Sequence, residues 1–70
     1  MKAIELINIG SNLLKEKNIK SHILDSEILL SKTLNKSREK ILINLDQKID
    51  KKKICKFKEY IERRVNREPI

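Results

Sequence analysis

One cysteine, one proline, one glycine and no tryptophan occur in the 70 residues, and Phe57 and Tyr60 are the only aromatic side chains. Each scarcity excludes something. Cys55 alone allows no intrachain disulfide and no multi-cysteine metal site. It fits a reduced, cytoplasmic compartment. The one glycine, Gly10, falls in a helical pattern, so there is no glycine-rich loop to cradle a phosphate. Two aromatics give little for stacking single-stranded bases. Uninterrupted apolar runs reach only two or three residues, against the roughly 20 that a membrane helix needs. The opening Met-Lys-Ala-Ile-Glu places Glu5 and Asn8 inside the apolar segment, which makes a poor secretory signal. His22 is the only histidine. It has no cysteine or carboxylate at metal spacing and reads as a surface residue.

What the chain has in quantity is lysine. There are 17 Lys and Arg against 10 Asp and Glu, a net charge of +7. That balance favours solubility and acidic partners or nucleic acid, without choosing between them. The lysines are spread through the sequence, as on a solvated face. The length allows one small domain, which buries only about 60% of the surface its unfolded chain exposes.

Helical periodicity dominates. Over Lys2–Lys17, the residues Ala3, Leu6, Ile7, Gly10, Leu13 and Leu14 share one face. A glycine there costs ~1 kcal/mol against alanine, so close approach of another helix is expected at Gly10. Asn18 reads as the helix end, with Ile19 packing back on the core. Leu24–Leu34 is the central helix, with Ser21 as its N-cap. On a helical wheel Ile23, Leu24, Ile28, Leu30 and Leu34 fall in one broad arc, while Leu29 sits apart with Asp25, Lys32 and Thr33. So broad an arc suits a helix with more than one neighbour. Ser37 caps a third helix, Arg38–Leu45, with Ile41, Leu42 and Leu45 inward. Ile49 anchors the next connection. Asp50 caps the last helix, Lys51–Asn66, where Ile54, Phe57, Ile61 and Val65 form the stripe. Pro69 disfavours helical geometry at Glu68. No segment alternates like a strand. The expected fold is all-α, a small bundle of about four helices. Residues 1–67 form the domain, and 68–70 begin a linker to further chain.

No catalytic constellation stands out. Asp25 and Glu27 lie two apart on a helix and point in different directions, so capping or salt bridging is expected of them. Nothing in the sequence brings a serine or Cys55 to His22. Cys55 reads as a small packing residue at a helix edge. Arg64 borders Phe57 and Tyr60. It either packs its stem with the charge in water or anchors an acidic surface or a following domain. Asn35-Lys36-Ser37 has the length of a helix-turn-helix turn. The would-be recognition helix, however, offers only Arg38, Lys40 and Asn44 to read bases.

Three stretches together resemble one family. Leu24-Asp25-Ser26-Glu27-Ile28-Leu29-Leu30 is similar to the "L-D-A-E-x-L-L" near the start of HemK/PrmC-type methyltransferases. Ser37-Arg38 is similar to their "S-R", and Arg63-Arg64-x-x-x-Glu68-Pro69-Ile70 to their "R-R-x-x-G-E-P-I". Ser26 stands for the usual alanine and Arg67 for the usual glycine. The resemblance implies a helical amino-terminal domain that holds a peptide chain release factor. A separate Rossmann-like domain would use S-adenosylmethionine to methylate the glutamine of a Gly-Gly-Gln loop. The Asn-Pro-Pro-Tyr motif and cofactor loop of that domain do not occur here, so no catalytic, cofactor or metal residue is carried over. Taken alone, the segment is expected to be inactive. Lys56, Arg63 and Arg67 are the expected contacts to a release factor or to the enzyme's own catalytic domain. The alternatives are a free-standing basic module binding nucleic acid and a helical protein-interaction adaptor.

Overall fold

A helix start leaves backbone N–H groups without partners, and α1 (Ala3–Glu16) meets this need with chain from much later in the sequence. The N–H of Ala3 donates to Gln47 O at 2.9 Å and that of Ile4 to Leu45 O at 3.0 Å. The N–H of Ile49 donates to Met1 O at 2.8 Å, and an antiparallel bridge joins Lys2 to Lys48. Glu5 Oε1 accepts from Lys2 N–H at 2.9 Å. The connection before the last helix is therefore lashed across the start of the first, and Ile49 is buried there, as expected. This computed structural model describes residues 1–66.

Among the described residues there are four helices: α1, α2 (His22–Leu34), α3 (Arg38–Leu42) and α4 (Lys51–Val65). The expected all-α bundle is what forms. The helix α2 packs against the other three, which is why it buries so much of its circumference. Its exit is closed by Asn35 in the left-handed region at φ 54°, and that of α1 by Asn18 at φ 62°. Asparagine tolerates this conformation better than other non-glycine residues. Behind Asn18 the N–H of Ile19 reaches back to Leu14 O at 3.1 Å, and Ile19 is buried. Ser37 Oγ accepts from Lys40 N–H and Asp50 Oδ1 from Lys53 N–H, at 3.3 and 2.9 Å. Both expected caps are present, and each is worth about 1 kcal/mol.

The core is built from Ala3, Leu6, Ile7, Leu14, Ile19, Leu29, Leu30, Ile41, Ile49, Phe57 and Ile61. Gly10 lies at the crossing of α1, α2 and α4. A Cβ built there would sit 2.6 Å from Ser26 Oγ, 2.8 Å from Phe57 Cζ and 2.9 Å from Ile61 Cδ1. Close approach is thus the reason for the glycine, as its position in the pattern indicated.

Several expectations are corrected. The apolar arc drawn for α2 matches its buried face only in part: Leu30 is buried and Leu34 packs against the core. Asp25, Ser26, Leu29, Leu30 and Thr33 are buried, while Ile23 is 58% exposed and Leu24 42%. The polar members of that face each have a partner. Ser26 Oγ donates to Ile7 O at 2.8 Å, Thr33 Oγ1 to Leu29 O at 2.8 Å, and Asp25 is paired with Arg64. Satisfied small polar groups can replace hydrocarbon at a close helix crossing. Ser21 is the N-cap residue of α2, as expected, but its hydroxyl accepts no backbone N–H; it donates to Asp25 Oδ2 at 3.0 Å instead. The helix α3 stops at Leu42 rather than Leu45, because the chain after it turns to meet α1, and Leu42 is exposed. Leu13 and Cys55 are exposed rather than packed.

Candidate interaction surface

The helix α4 concentrates charge. Its seven cationic side chains face two carboxylates, a net +5 out of +7 for the whole chain. The apolar stripe Phe57–Ile61 fixes its inner face, so Lys52, Lys56, Glu59 and Arg63 are turned to solvent. Lys56 Nζ lies 6.0 Å from the centroid of the Tyr60 ring, at the limit of a cation–π contact. Arg63 Nη2 lies 3.9 Å from Glu59 Oε1, with both side chains more than half exposed. An exposed i, i+4 pair of this kind holds its charges weakly, at a few tenths of a kcal/mol. Lys56 and Arg63 therefore present cations that a partner can engage at little cost. Arg67 lies outside the described residues.

Arg64 follows neither sequence expectation. Its Nε donates to Asp25 Oδ2 at 3.0 Å, with the arginine 23% and the aspartate 7% exposed. Asp25 Oδ2 also accepts from Ser21 Oγ. The pair ties the start of α2 to the end of α4 and is part of the fold. Glu27, two residues on, pairs with Arg38 Nε at 2.8 Å across to α3. Both carboxylates thus form salt bridges, as their spacing indicated. Arg38 is engaged there, and α3 has only five residues, which leaves no recognition helix of useful length.

One pairing was invisible in the sequence. Ser11 Oγ lies 2.7 Å from His22 Nδ1, across the α1–α2 crossing. Two residues that fall on different elements cannot be paired from spacing alone. Ser11 is buried, so it is poorly placed to attack a substrate, and the contact reads as interhelical packing. The ring of His22 borders a shallow hollow with Lys15, Asn18, Ile19 and Lys20. Among the described residues no group of three or more His, Cys, Asp or Glu side chains could hold a metal ion. No helix is long and apolar enough to cross a membrane among these residues.

The exposure of Leu13 has a geometric consequence. Leu13, Glu16 and Lys17 of the α1 end face Lys58, Ile61, Glu62 and Val65 of α4 across a groove of about 460 Å³. Its floor is aliphatic and its rim carries both signs of charge.

Comparison with known proteins converges on one family. The model of the PrmC N-terminal domain matches residues 5–70. A protein of Rickettsia felis named "Bifunctional methyltransferase" is 36% identical over 66 residues, which is 94% of this chain and 12% of that protein. Its namesake from Rickettsia conorii is 35% identical over 66 residues, 94% of this chain and 13% of that protein. The chain therefore spans only about an eighth of the length of the curated relatives it matches. No solved structure matches it. With the family model covering nearly the whole chain and an all-α bundle in place, the chain belongs to the PrmC N-terminal domain family.

Proposed function

We propose that the chain is the amino-terminal, substrate-positioning domain of an S-adenosylmethionine-dependent methyltransferase, with residues 1–67 as the domain and 68–70 opening a linker. The substrate in this reading is a peptide chain release factor, methylated on the glutamine of its Gly-Gly-Gln loop, in the cytoplasm. The observation that carries it is the family match over residues 5–70, joined to relatives named as methyltransferases that align with 94% of this chain at 35–36% identity. The methyl donor and the reacting groups belong to the remainder of the parent. The task of this domain is orientation: holding a protein substrate so that one side chain meets the donor, which converts a rare encounter into a local one.

The exposed cations of α4 suit that task, because charge on an interface rim steers and orients a partner. Reversal at Arg63 removes one attraction and adds one repulsion. With exposed charges worth 0.2–1 kcal/mol, Arg63→Glu is expected to weaken release-factor binding by the full-length enzyme about fivefold. Calorimetry on the unmethylated factor measures this, and thermal unfolding should be unchanged. Duplex DNA and RNA at two salt concentrations serve as controls. Steeply salt-dependent binding to nucleic acid, without binding to the factor, would transfer the chain to the nucleic-acid reading.

A further inference from the structure

We propose that the α1–α4 groove seats an aliphatic anchor from the polypeptide that follows α4 in the parent enzyme, and so clamps the helical domain to the remainder of its own chain. This rests on the reading of the chain as one domain of a longer methyltransferase.

The groove has the size and lining for such an anchor. At about 460 Å³ it is roughly three times the ~150 Å³ of a cavity that takes one benzene, which is room for two or three aliphatic side chains. Leu13 is 42% exposed although it belongs to the apolar face of α1, and Ile61 and Val65 complete the floor opposite it. Leu13 thus joins a contiguous aliphatic surface, the kind that marks an interaction site, rather than standing as a single scattered apolar side chain. The rim offers Lys17 and Lys58 against Glu16 and Glu62, so it does not select a strongly acidic or basic partner. Recognition falls to the aliphatic floor.

Two observations choose the occupant. Val65 is both the last residue of α4 and part of the groove lining, so the helix ends at the groove. The matching family is an N-terminal domain, and the curated relatives are about eight times as long as the matched region, so in a parent of that kind most of the chain lies beyond α4. A short tether holds a following segment at an effective concentration in the millimolar range. A contact too weak to hold a free peptide is then well populated within one chain.

The test uses the full-length parent and Leu13→Lys, with Ile43→Lys as the control, since Ile43 is 84% exposed and outside the groove. Limited proteolysis of the segment after α4 is followed, with thermal unfolding of each variant as the check on folding. Leu13→Lys is expected to speed cleavage there about tenfold or more, and Ile43→Lys to leave it unchanged. Leu13→Ser and Val65→Lys should each act in the same direction, so a folding defect in one variant does not decide the matter. Cleavage unchanged within twofold by the groove substitutions, in folded protein, overturns the proposal. A concentration-dependent dimer of the wild type that Leu13→Lys abolishes overturns it too, and gives the groove to a second copy. A parent reading frame without a methyltransferase portion is a different failure: it removes the proposed function before the groove is tested.

Discussion

Asp25→Ala is expected to destabilise the domain by about 3 kcal/mol. The carboxylate accepts from Arg64 Nε and from Ser21 Oγ and is almost wholly buried. Removing it leaves a guanidinium that is three-quarters covered with no counter-charge. Breaking a buried pair in this way costs 3–5 kcal/mol, and the partial exposure of Arg64 puts the value near the lower end. A domain of this length has only some 4–10 kcal/mol in total, so the loss is a large share of it. In a chain of 60–100 residues each kcal/mol moves Tm by about 4–8 °C. Thermal unfolding followed by circular dichroism reads it directly. The pair Asp25→Leu with Arg64→Met should recover most of the loss, because an apolar pair carries no uncompensated charge. An Asp25→Ala variant as stable as wild type would show that the ion pair does not hold α2 to α4.

Gly10→Ala is the second large effect, and its sign runs against helix propensity. Alanine in a helix interior is favoured over glycine by ~1 kcal/mol. The added methyl, however, would meet Ser26 Oγ, Phe57 Cζ and Ile61 Cδ1, all inside 3.0 Å and on two different helices. Phe57 and Ser26 are fully buried, and Ser26 Oγ is held by its hydrogen bond to Ile7 O. Overpacking a close-packed core costs 1–3 kcal/mol, occasionally more, and three simultaneous contacts place this site at or above the top of the range. The expected net loss is about 2 kcal/mol, measured by urea unfolding with an unchanged m-value. Adding Ser26→Ala to Gly10→Ala removes the nearest obstacle and should return part of the loss, although it also removes the hydrogen bond to Ile7 O. A stabilised Gly10→Ala would mean that the three helices separate more easily at this crossing than their contacts indicate.

These two sites also mark what could be read from the residues alone. Gly10 was legible, because a lone glycine on an apolar helical face has few reasons to be there other than close approach. The caps at Ser37 and Asp50 were legible because a cap joins residues three apart. The buried face of α2 was not. Hydropathy puts Asp25, Ser26 and Thr33 outside, and only partners on α1, on α4 or within the helix itself make their burial affordable. Arg64 misled for the same reason, since its counter-charge lies 39 residues away in sequence. Leu13 was placed in the core by its spacing, correctly for its face, but no neighbouring helix reaches over it. The groove it leaves is a property of how α1 and α4 meet, and no single stretch encodes that. Lys56 and Arg63 were placed outward by the stripe alone, and they are exposed.

The most direct test of the proposed role separates positioning from chemistry. The full-length parent carrying Lys56→Glu and Arg63→Glu would be assayed for methyl transfer to an intact release factor and to a short Gly-Gly-Gln peptide. A positioning domain predicts that kcat/KM on the intact factor falls about tenfold or more while that on the peptide is unchanged, because the peptide has no surface for α4 to hold. Equal rates of wild type and variant on the intact factor would contradict the account, as would an equal loss on both substrates.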